Sequence, residues 1–274
     1  MPAWTCLQHQ GLAAVMKVLA IFAHPDDETI LIGGTLAILT THGAELHLLS
    51  ATRGEGGELG EPPAARRAEL GDVRENELRC ALNALGGTSL QFLGYIDPTI
   101  EVGQEGLAFE ADPIALSDQI DAHIVDIHPD VILTHGSNGE YGHPAHLLVH
   151  ESVLTAARQQ SVCTYGISAS FSGHPRPRLA NEDDPAHFVL DINSSFDQKL
   201  AAAACHLTQQ ALFVRRSSQD AGRPLGLADV LMRVESVHRF KPSDQDIPDP
   251  LSRFLESQCA EALLPPEHPS DPIS

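Results

Sequence analysis

The stretch His24-Pro25-Asp26-Asp27-Glu28 puts one imidazole and three carboxylates within five residues, directly after the apolar run "KVLAIFA" (17–23). Two chemistries compete for such a cluster. Pro25 holds His24 extended and ends a strand there, and a helix that follows favours acidic residues as caps and as partners of its dipole. The other reading is metal ligation, and a second cluster favours it. "GEYGHPAH" (139–146) places His143 and His146 three residues apart at the head of another helical stretch. Zinc takes neutral imidazoles at about 2.0 Å and a carboxylate at about 2.0 to 2.2 Å, and a catalytic site keeps one position for water. His24, Asp27 and His146 would supply two imidazoles and a carboxylate. Such a set leaves the ion a net charge of about +1, enough to acidify a bound water toward neutrality. His146 and His150, four apart on one helix face, form a competing pair, but His150 lies a turn deeper. His123, His128, His135, His206 and His238 read as structural or surface histidines, with His206 the least settled.

These residues need elements that bring them together. Strand patterns at 17–23, 45–51, 90–95, 130–136, 162–170 and 187–192 alternate with helical patterns near 27–42, 64–85, 112–127, 144–159 and 196–210. Such alternation predicts an α/β, Rossmann-like fold with a mostly parallel sheet and helices on both faces. Ligands of open α/β sheets bind beyond the carboxyl ends of the strands. Four turns lie there: the opening stretch, "TRGEGGELGEPP" (52–63), "GYIDPTI" (94–100) and "HGSNGEYGHPAH" (135–146), all carrying ionisable groups. The glycines of "GEGGELG" do not match GxGxxG and follow the second strand, so a dinucleotide site is not expected, and flexibility and close backbone approach are their expected uses. The absence of a GxSxG elbow disfavours a serine hydrolase. One domain is expected over 16–264, with an N-terminal extension (1–15), a disordered tail (265–274) and a surface loop at "SGHPRPRLANEDDP" (172–185). Met16 is a candidate start codon.

Composition narrows the partners. Seventeen Lys and Arg against 37 Asp and Glu give a formal charge of -20, which repels nucleic acid and anionic membranes. There is no apolar run of about 18 to 20 residues and no secretion-signal pattern, so a cytoplasmic protein with a small-molecule substrate is expected. Assembly as a homo-oligomer is left open. Cys6, Cys80, Cys163, Cys205 and Cys259 are odd in number and contain no CxxC, so reduced and mostly buried thiols are expected, with neither a disulfide framework nor a thiolate zinc site.

Taken together, "AHPDDE", "TRGEGGE", a helix carrying Arg74, Glu77, Ala81 and Leu85-Gly86, then Asp97, "GEYGHPAH" and finally Lys199, His206 and Gln209 resemble the LmbE-like, or PIG-L-type, zinc-dependent N-acetylglucosaminyl deacetylases over about residues 16–240. The resemblance implies zinc on His24, Asp27 and His146, Asp26 as the general base, and His143 steadying the oxyanion or protonating the leaving amine. It also implies Tyr141 beside the oxyanion, and Glu55, Arg74 and Asp97 around sugar hydroxyls, with Arg53 a further candidate there. The implied activity is removal of acetyl from an N-acetylglucosamine-containing small molecule, such as a low-molecular-weight thiol precursor. Amide cleavage of thiol-sugar conjugates, or metal and sugar binding without turnover, are the alternatives. One departure stands out: the family usually reads "HPDH", and Ala145 replaces the aspartate expected to orient His143.

Overall fold

The computed structural model describes residues 15–99, 106–241 and 249–265. Ile100, Cys6, most of the N-terminal extension and nearly all of the C-terminal tail lie outside them. Five strands form the parallel part of the sheet: β1 (Lys17–Phe22), β2 (Glu45–Thr52), β3 (Ser89–Tyr95), β4 (Val131–Thr134) and β5 (Cys163–Ile167). A kink at Ser168, with φ 52°, separates β5 from β6 (Ala169–Ser170), which pairs with β7 (Asn181–Pro185). Beyond β5 the main sheet continues antiparallel through β9 (Val234–Lys241), β8 (Phe188–Asp191) and β10 (Leu263–Leu264). The order β10-β8-β9-β5-β4-β1-β2-β3 reverses direction between β1 and β4, and ligands bind at such a switch point.

The continuous apolar run of β1 follows from covering both faces of the sheet. Val18, Ala20 and Phe22 enter one core, with residues of α1 (Asp27–Thr41) and α2 (Leu70–Ala84). Leu19, Ile21 and Ala23 enter the other, with Leu116 and Ile120 of α3 (Pro113–Ile127) and Val149 and Val153 of the long helix after β4. Between β4 and that helix lies a short turn, α4 (Gly139–Gly142), and the long helix itself is α5 (Pro144–Gln160).

Several expectations shift. The helix expected from 64 starts at Leu70, after a 3₁₀ turn over Arg67–Glu69 that follows Pro62 and Pro63. The helix expected over 196–210 is two, α6 (Phe196–Cys205) and α7 (Leu207–Ala221), broken where His206 adopts φ -82° and ψ 58°. A short α8 (Leu227–Val230) and α9 (Pro250–Gln258) complete the helices of the described residues. The expected surface loop at 172–185 contains β7, whose Asn181 and Asp184 are buried. The cysteine expectation is corrected too: Cys80 of α2 and Cys205 of α6 form a disulfide, S–S 2.08 Å, across 125 residues. The pair is invisible in spacing because the packing of α2 against α6 alone brings the two together. Cys163 and Cys259 are free and buried, as expected.

One buried ion pair anchors the helix that carries the first acidic cluster. Lys199 Nζ lies 2.6 Å from Glu235 Oε1, and both side chains are fully buried. The same carboxylate accepts the backbone N–H groups of Gly34 and Thr35 at 3.0 and 2.7 Å, so α6, β9 and α1 meet there. Removing one partner strands the other charge. Lys199→Ala should therefore cost about 3 to 5 kcal/mol of folding stability, measured by urea denaturation. A loss below about 1 kcal/mol would mean the pair does not anchor α1.

Candidate active site

At the end of β1 the acidic residues are not helix caps. Asp26 occupies the N-cap position with φ 104°, and its side chain makes no cap hydrogen bond. A non-glycine residue in that region costs roughly 1 to 3 kcal/mol, tolerated where the surroundings over-determine it. Here Asp26 N–H donates to Glu28 Oε2 at 3.0 Å, and Arg74 Nη2 donates to Asp26 Oδ2 at 2.9 Å. Asp27 turns back over the strand end, where its Oδ2 accepts the His24 N–H at 2.9 Å. Behind the turn, Glu28 Oε1 lies 3.2 Å from Nε2 of the buried His206, so the break after α6 fills the wall beneath Asp26.

The end of β4 supplies the facing wall. His135 is fully buried and stacks on His146 with ring centroids 3.9 Å apart. Ala23 N–H donates to His135 Nε2 at 3.0 Å, so that nitrogen is an acceptor and the ring proton sits on Nδ1. Nδ1–H then donates to Glu140 Oε2 at 3.0 Å, and the same oxygen accepts His146 Nδ1–H at 2.6 Å. Glu140 Oε1 accepts Gly136 N–H at 3.0 Å. These bonds hold Glu140 at φ 59° and ψ -63°, a strained conformation. Glu140 and His135 are site residues that sequence reasoning missed, His135 having been read as structural. The one available signal was the position of both in the turn after the fourth strand. His150 points elsewhere, its Nδ1–H donating to the His135 carbonyl at 2.8 Å.

These walls bring together the residues expected to bind metal. Asp27 Oδ2 stands 3.3 Å from His24 Nδ1, and Asp27 Oδ1 stands 3.3 Å from His146 Nε2. For four ligands at about 2.0 to 2.1 Å around a tetrahedral ion, neighbouring ligand atoms lie about 3.3 Å apart. His146 Nε2 is buried without a hydrogen-bond partner. Among the described residues a second grouping, His135, Glu140 and His146, also has ligand atoms close enough to share an ion. Three of its four imidazole nitrogens are already engaged, His135 Nε2 by Ala23 and both Nδ1 atoms by Glu140, and the fourth, His146 Nε2, faces Asp27. The donor set therefore fits a divalent ion at His24, Asp27 and His146.

The electrostatics agree with closely spaced ligands. Burial alone would lower the His24 and His146 pKa values, but carboxylates outweigh it. Asp27 and Asp97 hold His24 at about 9, and Asp27 and Glu140 hold His146 at about 10. Burial would raise Asp27, yet the facing imidazoles pull it well below the ordinary carboxylate range. Asp26 is raised to about 7, by burial first and by Asp27 and Glu28, against the lowering effect of Arg74.

His143 resolves the question posed by Ala145. Its ring lies 5.0 Å from that of His24 and 4.6 Å from that of His146, centroid to centroid. Its Nδ1 accepts the Ala145 N–H at 3.2 Å, capping α5 in place of a carboxylate bond. The neutral ring therefore carries its proton on Nε2. Burial, together with His146 and His24, lowers its pKa to about 3.

The remaining candidates form a rim. Asp97 Oδ1 is 3.4 Å from His24 Nε2, its Oδ2 accepts Gly56 N–H at 3.2 Å, and its own N–H donates to Glu55 Oε2 at 3.1 Å. Arg53 pairs with Glu55 at 3.2 Å and Asp72 at 2.5 Å. Arg74 is buried, its guanidinium donating to the carbonyls of Gly54 and Pro25 as well as to Asp26. Gly54 permits this approach, having φ 69° and room for no Cβ, which would fall 2.0 Å from Arg74 Nη1. Tyr141 is half exposed, its ring edge-on to His143 and His146 at 5.6 and 5.5 Å. All ten candidate residues thus gather at one end of the sheet, on the turns after its strands or, for Asp27, Arg74 and His146, on α1, α2 and α5.

The PIG-L family model, described as GlcNAc-PI de-N-acetylase, matches residues 19–157. Proteins named 1D-myo-inositol 2-acetamido-2-deoxy-alpha-D-glucopyranoside deacetylase are similar. The one from Acidothermus cellulolyticus is 31% identical over 236 residues, covering 72% of this chain and 81% of that protein. The one from Rhodococcus jostii is 40% identical over 154 residues, covering 52% of each. The one from Actinosynnema mirum is 36% identical over 165 residues, 55% of this chain and 58% of its own, so the chain spans little more than half of several such relatives. Solved structures share the fold at low identity. The zinc-inhibited form of teicoplanin deacetylase Orf2 aligns with TM-score 0.58 at 19% identity, over 83% of this chain and 100% of its own. The 4-carboxy-2-hydroxymuconate hydratase of Pseudomonas putida aligns with TM-score 0.59 at 18% identity, over 85% and 100%. A family match over half of the chain and a relative above 30% identity across 72% of it lead to one conclusion: the chain belongs to the PIG-L, or GlcNAc-PI de-N-acetylase, family.

Proposed function

We propose that this protein is a metal-dependent N-deacetylase of an N-acetylglucosamine conjugate, with residues 16–264 acting as one catalytic domain. The observation that carries the reading is the meeting of His24, Asp27 and His146 with Asp26 and His143 at the sheet's switch point. The fold alone would not carry it, because the same fold also serves a hydratase. His24, Asp27 and His146 would hold the ion, and zinc is the choice that their two nitrogens and one carboxylate favour. When bound, a divalent ion there polarises the amide carbonyl and acidifies water.

The chain's own residues divide the rest of the chemistry. Asp26 takes the proton from the attacking water as general base; Arg74 fixes its carboxylate, and its raised pKa suits reversible proton transfer near neutrality. His143 serves as a neutral imidazole whose Nε2–H donates to the developing oxyanion, since its Nδ1 is committed to the Ala145 N–H. A neutral imidazole held at a helix N-terminus is a known electrophile, as in triosephosphate isomerase. The proton for the leaving amine then comes from Asp26, which has just received one. Tyr141 covers the oxyanion side, and Glu55, Asp97, Arg53 and Arg74 bound the sugar. The names of the relatives support N-acetylglucosamine linked to inositol as the substrate class. No helix among the described residues is long and apolar enough to cross a membrane. The charge of -20 fits a cytoplasmic setting, whereas a disulfide such as Cys80–Cys205 is rare in reducing compartments. Alkylation of thiols at cell lysis reads which state holds.

Three outcomes test this reading. His24→Ala, Asp27→Ala and His146→Ala should each lose bound zinc and acetate release from N-acetylglucosaminyl-inositol; retention of zinc in His146→Ala with loss in His150→Ala would reassign the second histidine. Asp26→Asn should keep zinc but lose about 10² to 10⁴ in kcat, the usual worth of a general base. Metal loss equal to that of Asp27→Asn would refute the division between base and ligand.

The third outcome is a pH dependence. Without metal, His24 and His146 bind protons up to about 9 and 10, and these must leave before the nitrogens ligate. Zinc affinity should therefore rise with pH from 6 to 9, with protons released, as calorimetry in buffers of different ionisation enthalpy would record. A flat profile would mean that the two imidazoles are already neutral.

A further inference from the structure

We infer that Glu140 is the positioning residue of the metal site, holding His146 by Nδ1 so that Nε2 faces the ion. The inference rests on the metal-site reading above and deepens it. His146 is 1% exposed and has two ring nitrogens. Its Nδ1–H is taken by Glu140 Oε2 at 2.6 Å, while its Nε2 has no hydrogen-bond partner and lies 3.3 Å from Asp27 Oδ1. A carboxylate on the far nitrogen fixes the ring's orientation and tautomer and raises its basicity as a ligand.

The other contacts of Glu140 explain why it does not itself ligate. Oε2 also accepts His135 Nδ1–H at 3.0 Å, and His135 is tied through Nε2 to the Ala23 N–H at the end of β1. Oε1 accepts Gly136 N–H at 3.0 Å, and the Glu140 N–H donates to Asn181 Oδ1 at 3.0 Å. The carboxylate is therefore surrounded by donors, and the rings of His135 and His146 stand between it and Asp27. A continuous set of bonds runs from the Ala23 N–H, just past β1, through His135 and Glu140 to His146, holding one ligand in register with His24, the residue next to Ala23. The arrangement also assigns a purpose to a buried histidine and a buried glutamate that the proposed chemistry does not otherwise use.

The test measures metal binding rather than turnover. Metal-free full-length protein, its Glu140→Gln and Glu140→Gly variants, and Asn181→Ala would be titrated with zinc, and with cobalt(II) for the ligand-field spectrum. Glycine suits φ 59° and relieves the backbone strain, so Glu140→Gly removes the carboxylate with the least folding defect. Both Glu140 variants should bind zinc about 10- to 100-fold more weakly, the usual effect of losing such a partner. At saturation their cobalt spectra should match the unaltered protein's, showing that the ligands themselves are unchanged. Asn181→Ala, which loosens the turn and leaves the His146 bond intact, should lower Tm while keeping zinc affinity within about threefold. Unchanged affinity in folded Glu140→Gly would overturn the inference. So would abolished binding in both Glu140 variants with binding retained in His24→Ala, since Glu140 would then be a ligand. Failure of the unaltered protein to bind zinc would overturn the metal-site reading beneath it, and is thus a distinguishable result.

Discussion

The site depends on one carboxylate being turned the wrong way for a helix. Asp27 opens α1, where an acidic side chain would ordinarily face the free N–H groups of its own first turn. Instead its Oδ2 accepts the His24 N–H and lies against the His24 ring, while its Oδ1 faces the unpartnered Nε2 of His146. This single side chain bridges the end of β1 and the head of α5. Every other feature of the site either holds it there or uses the space it defines. The positive φ of Asp26 follows, because the chain must leave β1, reverse the carboxylate and still enter a helix. The Lys199–Glu235 pair matters for the same reason, since it fixes the second turn of the helix that Asp27 begins.

Charge placement then divides labour among similar residues. Asp26 and Asp27 are neighbours, yet burial raises one and facing imidazoles lower the other, so one is suited to exchange protons and the other to stay ionised. The histidines divide in the same way. His146 is held by Glu140 with a free Nε2, His135 is closed at both nitrogens, and His143 spends its Nδ1 on the helix head. His135 and His143 each stack on His146, with centroids 3.9 and 4.6 Å away, and the three imidazoles differ in the nitrogen each leaves available, set by the partner of the other.

How much of this the chain announces depends on range. The parallel sheet was legible, because apolar strands alternated with helical periods and both faces of β1 are covered. The clusters at 24–27 and 143–146 were legible, because they sit on turns after strands. What escaped depends on contacts between distant segments. The Cys80–Cys205 bond, the buried Asn181 behind the site and the break at His206 reflect packing across more than 40 residues. Strand β9 escaped because it buries Glu235 and Arg239 alongside Val237, and so lacks an apolar alternation. Glu140 was hidden in plain sight: at φ 59° it stands where a turn favours glycine, and only its four-way bonding explains a carboxylate there.

The central claim is that one ion is shared by His24, Asp27 and His146, with His135 and Glu140 outside its reach. Anomalous diffraction at the zinc edge from crystals grown with zinc tests this most directly. One strong peak is expected about 2.0 to 2.2 Å from His24 Nδ1, from an Asp27 oxygen and from His146 Nε2. A peak between His135, Glu140 and His146, or on His146 and His150, would contradict it.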